Sequence, residues 1–193
     1  MTSSIVTSQF EGLQPGTYAI DATHSDVGFT VRHLMSKVRG QFREFEGSLT
    51  VADNPLNSSV EAVIELSSVD TRNDDRDNHL RSADFFSVEN NPKMSFKSTS
   101  VRQDGNDLVS AGDLTIKDVT KPVEITLDYL GSGTDPWGGS RVGFEGTTTL
   151  SRKEWGIDFN IPLEGDKVVI GDKINVFLGI EAVLQADDAA GPA

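Results

Sequence analysis

The chain has 193 residues, and its 17 basic and 30 acidic side chains give a formal net charge of −13. This negative balance argues against broad electrostatic binding to nucleic acid or to anionic lipid surfaces. The sequence contains no cysteine, which excludes disulfide bonds, zinc–thiolate sites and thiol nucleophiles.

The two ends of the chain differ from the rest because they carry no periodic apolar pattern. We expect a flexible tail over residues 1–12, one domain over residues 13–184 and a disordered tail over residues 185–193. The opening residues lack the positive region and the continuous apolar run of a secretory signal, and no later stretch approaches the length of a membrane span. The sequence therefore predicts a cytoplasmic protein with no integral membrane association.

Apolar residues alternate with polar ones along much of the domain, which is typical of strands that bury one face. In the first clear run, the predicted inner face carries Val27, Phe29, Val31 and His33. Later runs alternate in the same way, at Val60, Ala62, Ile64 and Leu66, at Met94 and Phe96, at Leu114 and Ile116, at Val123, Ile125, Leu127 and Tyr129, and at Ile174, Val176, Leu178, Ile180, Ala182 and Leu184. Each run predicts a strand with an inward apolar face.

The stretch over residues 38–51 breaks this alternation. Phe42 and Phe45 lie an odd number of residues apart, so both rings cannot face inward along a regular strand. A bulge near Arg43 and Glu44 would bring both rings to the same face. We therefore expect the strand to be irregular at this point.

Turn-forming sequences separate the predicted strands, at residues 52–59, 103–107, 117–122 and 133–139. About eight or more antiparallel strands result, at the spacing found in sandwiches and barrels. The predicted fold class is all-β, with a closed or nearly closed antiparallel sheet. Trp137 and Trp155 adjoin turns, and we expect them to cap the ends of this structure.

One segment, near residues 72–84, has helical rather than strand character. Asn73 or Asp74 can cap its first turn, in which acidic residues are concentrated. The insertion would close one end of the barrel if its apolar side chains packed inward and its carboxylates faced water, with Leu80, Phe85 and Phe86 in the first set and Asp74, Asp75 and Asp77 in the second. A plain surface helix between two strands fits the same pattern, so both interpretations stay open.

The chain resembles the YceI-like family over residues 15–184, and the resemblance rests on five motifs in the family's order: DATHSDVGFTVRHL, VRGQFREFEGSL, RDNHLRSADFF, GDLTIKDVTKPV and LSRKEWGI. This resemblance implies an extended, lipocalin-like antiparallel barrel with a helical insertion. It also implies that the lumen binds an isoprenoid or another long amphiphilic chain. Dimers are a further implication of the same resemblance.

The candidate inward faces mix bulky and small side chains. An eight-stranded barrel is just wide enough to be filled by its own side chains or to hold one slender ligand. The bulky residues are Phe29, Phe42, Phe96 and Phe144, and the small ones are Gly40, Ala62, Ser98, Gly112 and Gly146. The mixture is compatible with tight packing and with a channel, and we expect an open lumen.

We therefore expect a carrier that sequesters or transports one long-chain lipophilic ligand, either an isoprenoid, an isoprenoid quinone or a fatty amphiphile, without a cofactor or a metal. Burial of an apolar chain can give tight binding without catalytic residues. Arg76 and Arg81 could contact a phosphate, carbonyl or quinone head group, although ion pairs with Asp77 and Asp84 fit them equally well. The candidate ligand-binding residues are Phe29, Val31, His33, Phe42, Phe45, Ala62, Ile64, Arg76, His79, Leu80, Arg81, Phe85, Phe86, Phe96, Ile116 and Phe144.

The three histidines support a competing hypothesis, an enzyme that acts on a bound amphiphile. His24 also fits a structural role in a turn, His33 a position in the core, and His79 a network on the helix surface. No two histidines have the i, i+2 or i, i+4 spacing of metal ligands, and no Gly-x-Ser-x-Gly motif is present. A third hypothesis is a packed structural module without a ligand, which forms a homodimer through an exposed strand edge.

Overall fold

The computed structural model describes residues 10–105, 107–165 and 167–186. Within these residues the chain forms eleven strands and one short α-helix, α1 (Asp74–Arg81). The strands are β1 (Gly16–Ile20), β2 (Asp26–His33), β3 (Ser36–Phe42), β4 (Phe45–Val51), β5 (Ser59–Glu65), β6 (Val69–Asp70), β7 (Lys93–Asp104), β8 (Asp107–Ile116), β9 (Val119–Thr134), β10 (Ser140–Ser151) and β11 (Ile170–Leu184). None of the described helices is both long enough and apolar enough to cross a membrane.

Eight of the strands form a closed ring in which every neighbouring pair is antiparallel. The order around the ring is β1, β4, β5, β7, β8, β9, β10 and β11, and β11 returns to β1 with Tyr18 opposite Leu184. Both strands of every pair hydrogen-bond along their edges, so the ring leaves few unpaired backbone groups. The expected all-β antiparallel barrel with a short helical insertion is therefore confirmed.

The long strand β11 lets the wall extend beyond this ring. Its C-terminal part pairs with β1, whereas its N-terminal part, from Ile170 to Gly179, pairs with β2. β3 then pairs with β2, and β6 pairs with β3 through Gln41–Asp70 and Phe42–Val69. β1 and β2 therefore follow each other along one edge of β11.

The irregularity expected near Arg43 lies where β3 ends and β4 begins. The Arg43 backbone N–H donates to the Ser68 carbonyl oxygen at 3.2 Å, and the Glu44 N–H donates to Ser68 Oγ at 3.0 Å. These bonds replace the strand pairing that the break removes. Phe42 and Phe45 consequently pack in one cluster despite their odd spacing.

One end of the barrel is filled by the protein's own side chains. Tyr18 and Ala182 are almost fully buried there, at 1% and 0% exposure. Val142 belongs to the same cluster, and the rings of Tyr129 and Phe144 lie against each other with centroids 5.3 Å apart. A ligand chain therefore has no open path through this end of the barrel.

The residues just outside the expected domain boundaries contact this filled end. Phe10 is buried with its ring 5.6 Å from the ring of Tyr129, whose hydroxyl donates to the Glu11 carbonyl oxygen at 3.1 Å. At the other boundary, the Gln185 N–H donates to the Thr17 carbonyl oxygen at 2.8 Å. Phe10, Glu11 and Gln185 thus contact the barrel, and the predicted domain boundaries stay a prediction. Residues 1–9 and 187–193 lie outside the described residues, so the predicted tails there stay predictions.

The helix α1 is shorter than the expected segment over residues 72–84. Asn73 caps it, because Asn73 Oδ1 accepts a hydrogen bond from the Arg76 N–H at 2.9 Å. At the other end the Ser82 N–H donates to the His79 carbonyl oxygen, and the chain leaves the helix. The cap that the sequence suggested is therefore present, and the helix ends about one turn earlier.

The expectation that Asp77 faces water is wrong. Its side chain is only 5% exposed and accepts hydrogen bonds from the N–H of Thr71 at 2.9 Å and from Thr71 Oγ1 at 2.5 Å. Asp74 and Asp75 are exposed, as expected. Asp77 therefore ties the helix to the segment that precedes it.

Arg81 fixes the other end of α1 to the wall. Its Nε donates to the Ser67 carbonyl oxygen at 2.8 Å, and its Nη2 donates to the Val69 carbonyl oxygen at 3.0 Å. The described residues of β6 pair with β3, and β6 is the last strand in the row, so its far edge has no strand partner there. Arg81 thus binds carbonyl groups that a neighbouring strand would otherwise engage.

The helical insertion connects β6 to β7 and packs against the barrel. Its side chains Leu80 and Phe86 pack against two clusters, one around Phe42 and Ile64 and the other around Phe96 and Trp155. The insertion therefore covers apolar residues of the barrel and is not a plain surface helix.

We expect the Asp77→Ala substitution to lower the free energy of unfolding by about 2 kcal/mol, because it leaves the buried N–H and hydroxyl of Thr71 without their acceptor. The exposed Asp75→Ala, in the same helical turn, should cost less than about 1 kcal/mol. Urea unfolding followed by circular dichroism measures both. Equal effects of the two substitutions would contradict the anchoring role of Asp77.

Candidate functional site

A cavity of about 280 Å³ lies at the end of the barrel opposite the filled one. Its lining comes from the ends of several strands, from α1 and from the segment between β10 and β11. β2 contributes Val27, Phe29 and Val31, and β11 contributes Ile174 and Val176. The surface that these residues offer is almost entirely apolar.

The size of the cavity limits what it can hold. Pockets for small molecules usually have volumes of about 300–1,000 Å³. At about 280 Å³ the cavity is just below that range, and it occupies one end of the barrel and not its whole length. The space suits a slender chain, or the first part of a longer one.

The small inward residues Gly40, Ala62, Ser98, Gly112 and Gly146 do not belong to the lining of this cavity. The ring of Phe29 lies over Gly40, where an added Cβ would come within 2.4 Å of Phe29 Cζ. In the same way the ring of Phe96 covers Gly112, with Cζ 2.5 Å from such a Cβ. Each glycine therefore accommodates a neighbouring ring, and the cavity lies elsewhere.

Most of the predicted site residues line the cavity. They are Phe29, Val31, His33, Phe42, Arg76, His79, Leu80, Phe85, Phe86 and Ile116. They come from β2, β3, β8 and the helical insertion, so the structure brings distant parts of the chain together around one space. Their contact with a ligand stays a prediction.

The other predicted site residues do not line the cavity. Phe45, Ala62 and Ile64 pack beside Phe42, in the wall next to the cavity, and Phe96 packs in the cluster of Trp155. Phe144 lies at the filled end of the barrel. Arg81 is bound to backbone carbonyl groups of the β6 segment.

Arg76 lines the cavity and is held by Thr71. Its Nε donates to Thr71 Oγ1 at 2.7 Å, and its Nη2 donates to the Thr71 carbonyl oxygen at 2.8 Å. Its expected carboxylate partners are engaged elsewhere, since Asp77 binds Thr71 and Asp84 binds His79. Thr71 therefore positions both a cation of the lining and the buried carboxylate of α1.

The three histidines do not converge on one site. His33 and His79 line the cavity, and His79 Nε2 lies 2.8 Å from Asp84 Oδ2. The His79 ring makes edge contacts with Phe85 and Phe159, at centroid distances of 5.0 and 4.8 Å. These three rings connect the helical insertion to the segment that follows β10, across the end of the cavity.

His24 belongs to a separate polar cluster on the outside of the barrel. Possible metal-ligand atoms of Asp21, His24 and Glu181 lie within 4.8 Å of one another. Arg141 already occupies this cluster, because its Nη1 lies 2.8 Å from Asp21 Oδ2 and 2.6 Å from Glu181 Oε1. Its Nε also binds Asp135 Oδ2 at 2.7 Å. A guanidinium thus compensates the carboxylate charges that a metal ion would need.

The two tryptophans differ from the expectation that both cap the barrel. Trp137 is 85% exposed, in the turn between β9 and β10. Trp155 is 1% exposed, lines the cavity and donates from Nε1 to the Leu114 carbonyl oxygen at 3.1 Å. Trp155 therefore forms part of the candidate site, which the sequence did not indicate.

Arg152 is a second lining residue that was not expected. It is 5% exposed, and burial lowers the pKa of its guanidinium. Its Nε donates to the Gly171 carbonyl oxygen at 3.0 Å, and its Nη1 donates to those of Ile157 at 2.8 Å and Phe159 at 2.9 Å. The signal in the sequence is the alternation of β10, in which the inward position after Leu150 is Arg152.

An eight-stranded antiparallel barrel that encloses an apolar cavity has the architecture of ligand-enclosing barrels such as lipocalins. The family model described as YceI-like domain matches residues 18–182. The chain therefore belongs to the YceI-like family. Protein YceI of Escherichia coli O17:K52:H18 is 41% identical over 172 residues, which cover 87% of each chain.

Solved structures share the fold. A Campylobacter jejuni YceI protein matches with a TM-score of 0.67 and 27% identity, over 86% of this chain and 96% of that one. A domain from Saccharophagus degradans, described as a polyisoprenoid binding domain implicated in plant cell wall breakdown, matches with a TM-score of 0.64 and 14% identity, over 89% of this chain and 100% of its own. At that identity the second match shows the fold alone.

The Arg141 cluster should make stability depend on pH in a defined direction. Hydrogen bonds from Thr23, Arg141 and His24 hold the pKa of Asp21 far below its usual range, and Arg141 also lowers the pKa of Asp135. Unfolded aspartate has a pKa of about 3.9, so this stabilisation is complete above about pH 4 and is lost as the pH falls through the lowered folded values.

We therefore expect Arg141→Met to lower the melting temperature at neutral pH, and the difference from wild type to shrink as the pH falls below about 4. Melting curves between about pH 2 and pH 8 measure this difference. Arg102→Met, which removes an exposed ion pair with Glu124, should have a small effect throughout. A difference for Arg141→Met that did not change with pH would contradict the role of the two aspartates.

Proposed function

We propose that the protein binds one long-chain lipophilic molecule, an isoprenoid, an isoprenoid quinone or a related amphiphile, and sequesters or transports it. The observation that carries this proposal is the apolar cavity of about 280 Å³ at one end of the closed barrel. The description of the Saccharophagus degradans domain as polyisoprenoid binding supports the isoprenoid class. The described structure is compatible with such a ligand, because the lining is mostly apolar.

Burial of an apolar chain supplies the affinity in this proposal. Each 100 Å² of apolar surface removed from water contributes about 2.5 kcal/mol. Immobilisation of the ligand and of the lining side chains opposes this gain, by about 0.5–1.5 kcal/mol for each ordered flexible side chain. Much of the lining is already ordered by packing, so this cost is modest on the protein side.

The proposed entrance lies between the β2–β3 turn and the segment after β10. Leu34 and Met35 form the tip of that turn and are 43% and 99% exposed, while Ile161 and Leu163 are 51% and 40% exposed. The Leu34 N–H donates to the Val169 carbonyl oxygen at 2.9 Å, which holds the two segments together. The part of a long ligand that exceeds the cavity would lie against these exposed apolar side chains.

We propose binding and not catalysis as the role of the cavity. Thr71 is the hydroxyl residue of the described lining, and it is engaged by Arg76 and Asp77 in the contacts that hold α1. His79 is engaged by Asp84 and by two aromatic rings. Thr71 and His79 thus both have structural partners. Cytoplasmic location and a homodimer stay predictions.

Extraction of the purified protein with organic solvent, followed by mass spectrometry, tests the proposal. We expect a long-chain compound at about one molecule per chain, and the same mass difference in native mass spectrometry. If the protein emerges without such a compound and also fails to bind added geranylgeraniol, the proposed function is wrong.

A substitution that fills the cavity gives a sharper test. Ile174 lines the cavity between Val31 and Leu150, so Ile174→Trp should reduce the amount of bound ligand at least about fivefold by occupying its space. Lys173→Trp places the same side chain at an exposed position of the same strand and should leave binding unchanged. Melting curves of both variants show that they fold. Equal loss of ligand in both variants would contradict binding in this cavity.

A further inference from the structure

The charges in the cavity lining are opposite in sign to the charge of the protein. The described lining includes the guanidinium groups of Arg76 and Arg152 and the imidazoles of His33 and His79, but no carboxylate. The chain as a whole carries a formal charge of −13. The cavity therefore presents basic groups within a strongly acidic protein.

Arg152 has unused hydrogen-bonding capacity in this lining. A guanidinium has five N–H donors. The contacts of Nε with Gly171 and of Nη1 with Ile157 and Phe159 use three of them. Nη2 is buried and has no hydrogen-bond partner among the described residues. Two donors of a buried cation are thus left without an acceptor.

Asp172 and Asp158 act on the charge of Arg152 through space, but neither hydrogen-bonds to it among the described residues. Asp172 is engaged elsewhere, since its Oδ2 accepts from Ser151 Oγ at 2.6 Å and its Oδ1 accepts from the Lys153 N–H at 3.3 Å. Within the part of the chain that the structure describes, Arg152 forms no ion pair, in contrast to Arg141 with its three carboxylate partners. The direct partners of Arg152 are therefore three carbonyl groups, and no carboxylate among the described residues contacts the guanidinium.

A buried donor without an acceptor costs stability, and a charged donor costs more. If Arg152 served only to bind the carbonyl groups of the loop, there would be no reason for its Nη2 to stay unpaired. An anionic oxygen would satisfy Nη2 with a charge-assisted hydrogen bond, which is roughly twice as strong as a neutral one. Nη2 is closed to water in the described structure, so an anionic oxygen in the cavity reaches it when neighbouring side chains of the lining shift, and the cation then loses no hydration.

We propose that Arg152 binds the anionic oxygen head group, carboxylate or phosphate, of the amphiphile whose apolar chain fills the cavity. This inference rests on the proposed function and narrows its ligand class to acids. Arg152 then distinguishes an acid from the alcohol with the same chain.

Two matched pairs of probes test the inference: farnesyl monophosphate with farnesol, and hexadecanoate with hexadecanol. Titration calorimetry on the delipidated wild-type protein should show that the anion of at least one pair binds about ten to one hundred times more tightly than its alcohol, in line with the usual strength of hydrogen bonds to charged groups. A preference in the first pair indicates a phosphate head, and one in the second pair indicates a carboxylate.

Substitutions test whether the preference for the anion over the alcohol depends on Arg152. Arg152→Met should bring the ratio of the two affinities close to one while the affinity for the alcohol changes little, and Arg152→Lys should keep part of the ratio. Lys153→Met removes an exposed positive charge from the same turn and should leave the ratio unchanged. Arg152→Met also loses three bonds to the backbone, so its melting temperature should fall; if it does not fold, the wild-type ratio and Arg152→Lys carry the test.

The outcomes separate the two proposals. Equal binding of acid and alcohol to wild type would overturn the head-group assignment and leave the proposed function intact. Loss of the ratio in Arg76→Met with its retention in Arg152→Met would also overturn the assignment, because the head group would then lie at Arg76. Absence of binding for all four probes would overturn the proposed function itself.

Discussion

The hollow end of the barrel depends on how α1 is held against the unpaired edge of β6. Asp77 is buried on Thr71, and Arg81 donates to the carbonyl groups of Ser67 and Val69. These bonds fix the helix to one wall. The rings of Phe85 and Phe159 connect the insertion to the other side. Because these contacts lie at its two sides, the helical insertion can cover the cavity without filling it. The opposite end of the barrel is filled by packed side chains.

The local sequence was sufficient to predict the strands and most inward positions, because the alternation of side chains along a strand follows directly from its geometry. The run from Val27 to His33 shows this well, since each of its predicted inward residues lines the cavity. The alternation of apolar and polar residues does not predict which end of the barrel is filled by side chains. Phe144 obeys the same pattern as Phe29, yet it lies in the packed end, because that outcome depends on neighbours across three or more strands.

Polar residues were harder to place than apolar ones. Asp75 and Asp77 look alike in the sequence, but only Asp77 has a partner, Thr71, at the point where the chain enters the helix. Arg152 was overlooked because a charged residue next to a turn is normally solvated. Its burial results from the 3-10 turn that begins there and folds the carbonyl groups of Ile157 and Phe159 over it. The alternation of β10 indicates the inward position of Arg152, but the loop that supplies its carbonyl partners has no periodic pattern.

Arg141 and Arg152 lie on the same strand or directly after it, and they show how environment decides the role of one residue type. The first contacts three carboxylates on the outside of the barrel, so its charge is matched, and it joins β10 to β11, to the turn after β1 and to the turn between β9 and β10. The second is inside, among carbonyl groups and apolar side chains. A guanidinium that is paired with carboxylates, such as that of Arg141, favours a structural role. A guanidinium with unpaired donors, such as that of Arg152, favours a role in ligand binding.

The closure of β11 on β1 has a consequence for biosynthesis. Tyr18 of β1 is opposite Leu184 of β11, so β1 cannot pair with β11 until β11 has been translated. Until β11 has left the ribosome, β1, β2 and β10 each keep an open edge that β11 later covers. The nascent chain is therefore exposed to edge-to-edge association with other chains until β11 emerges, and the ring can be completed only then.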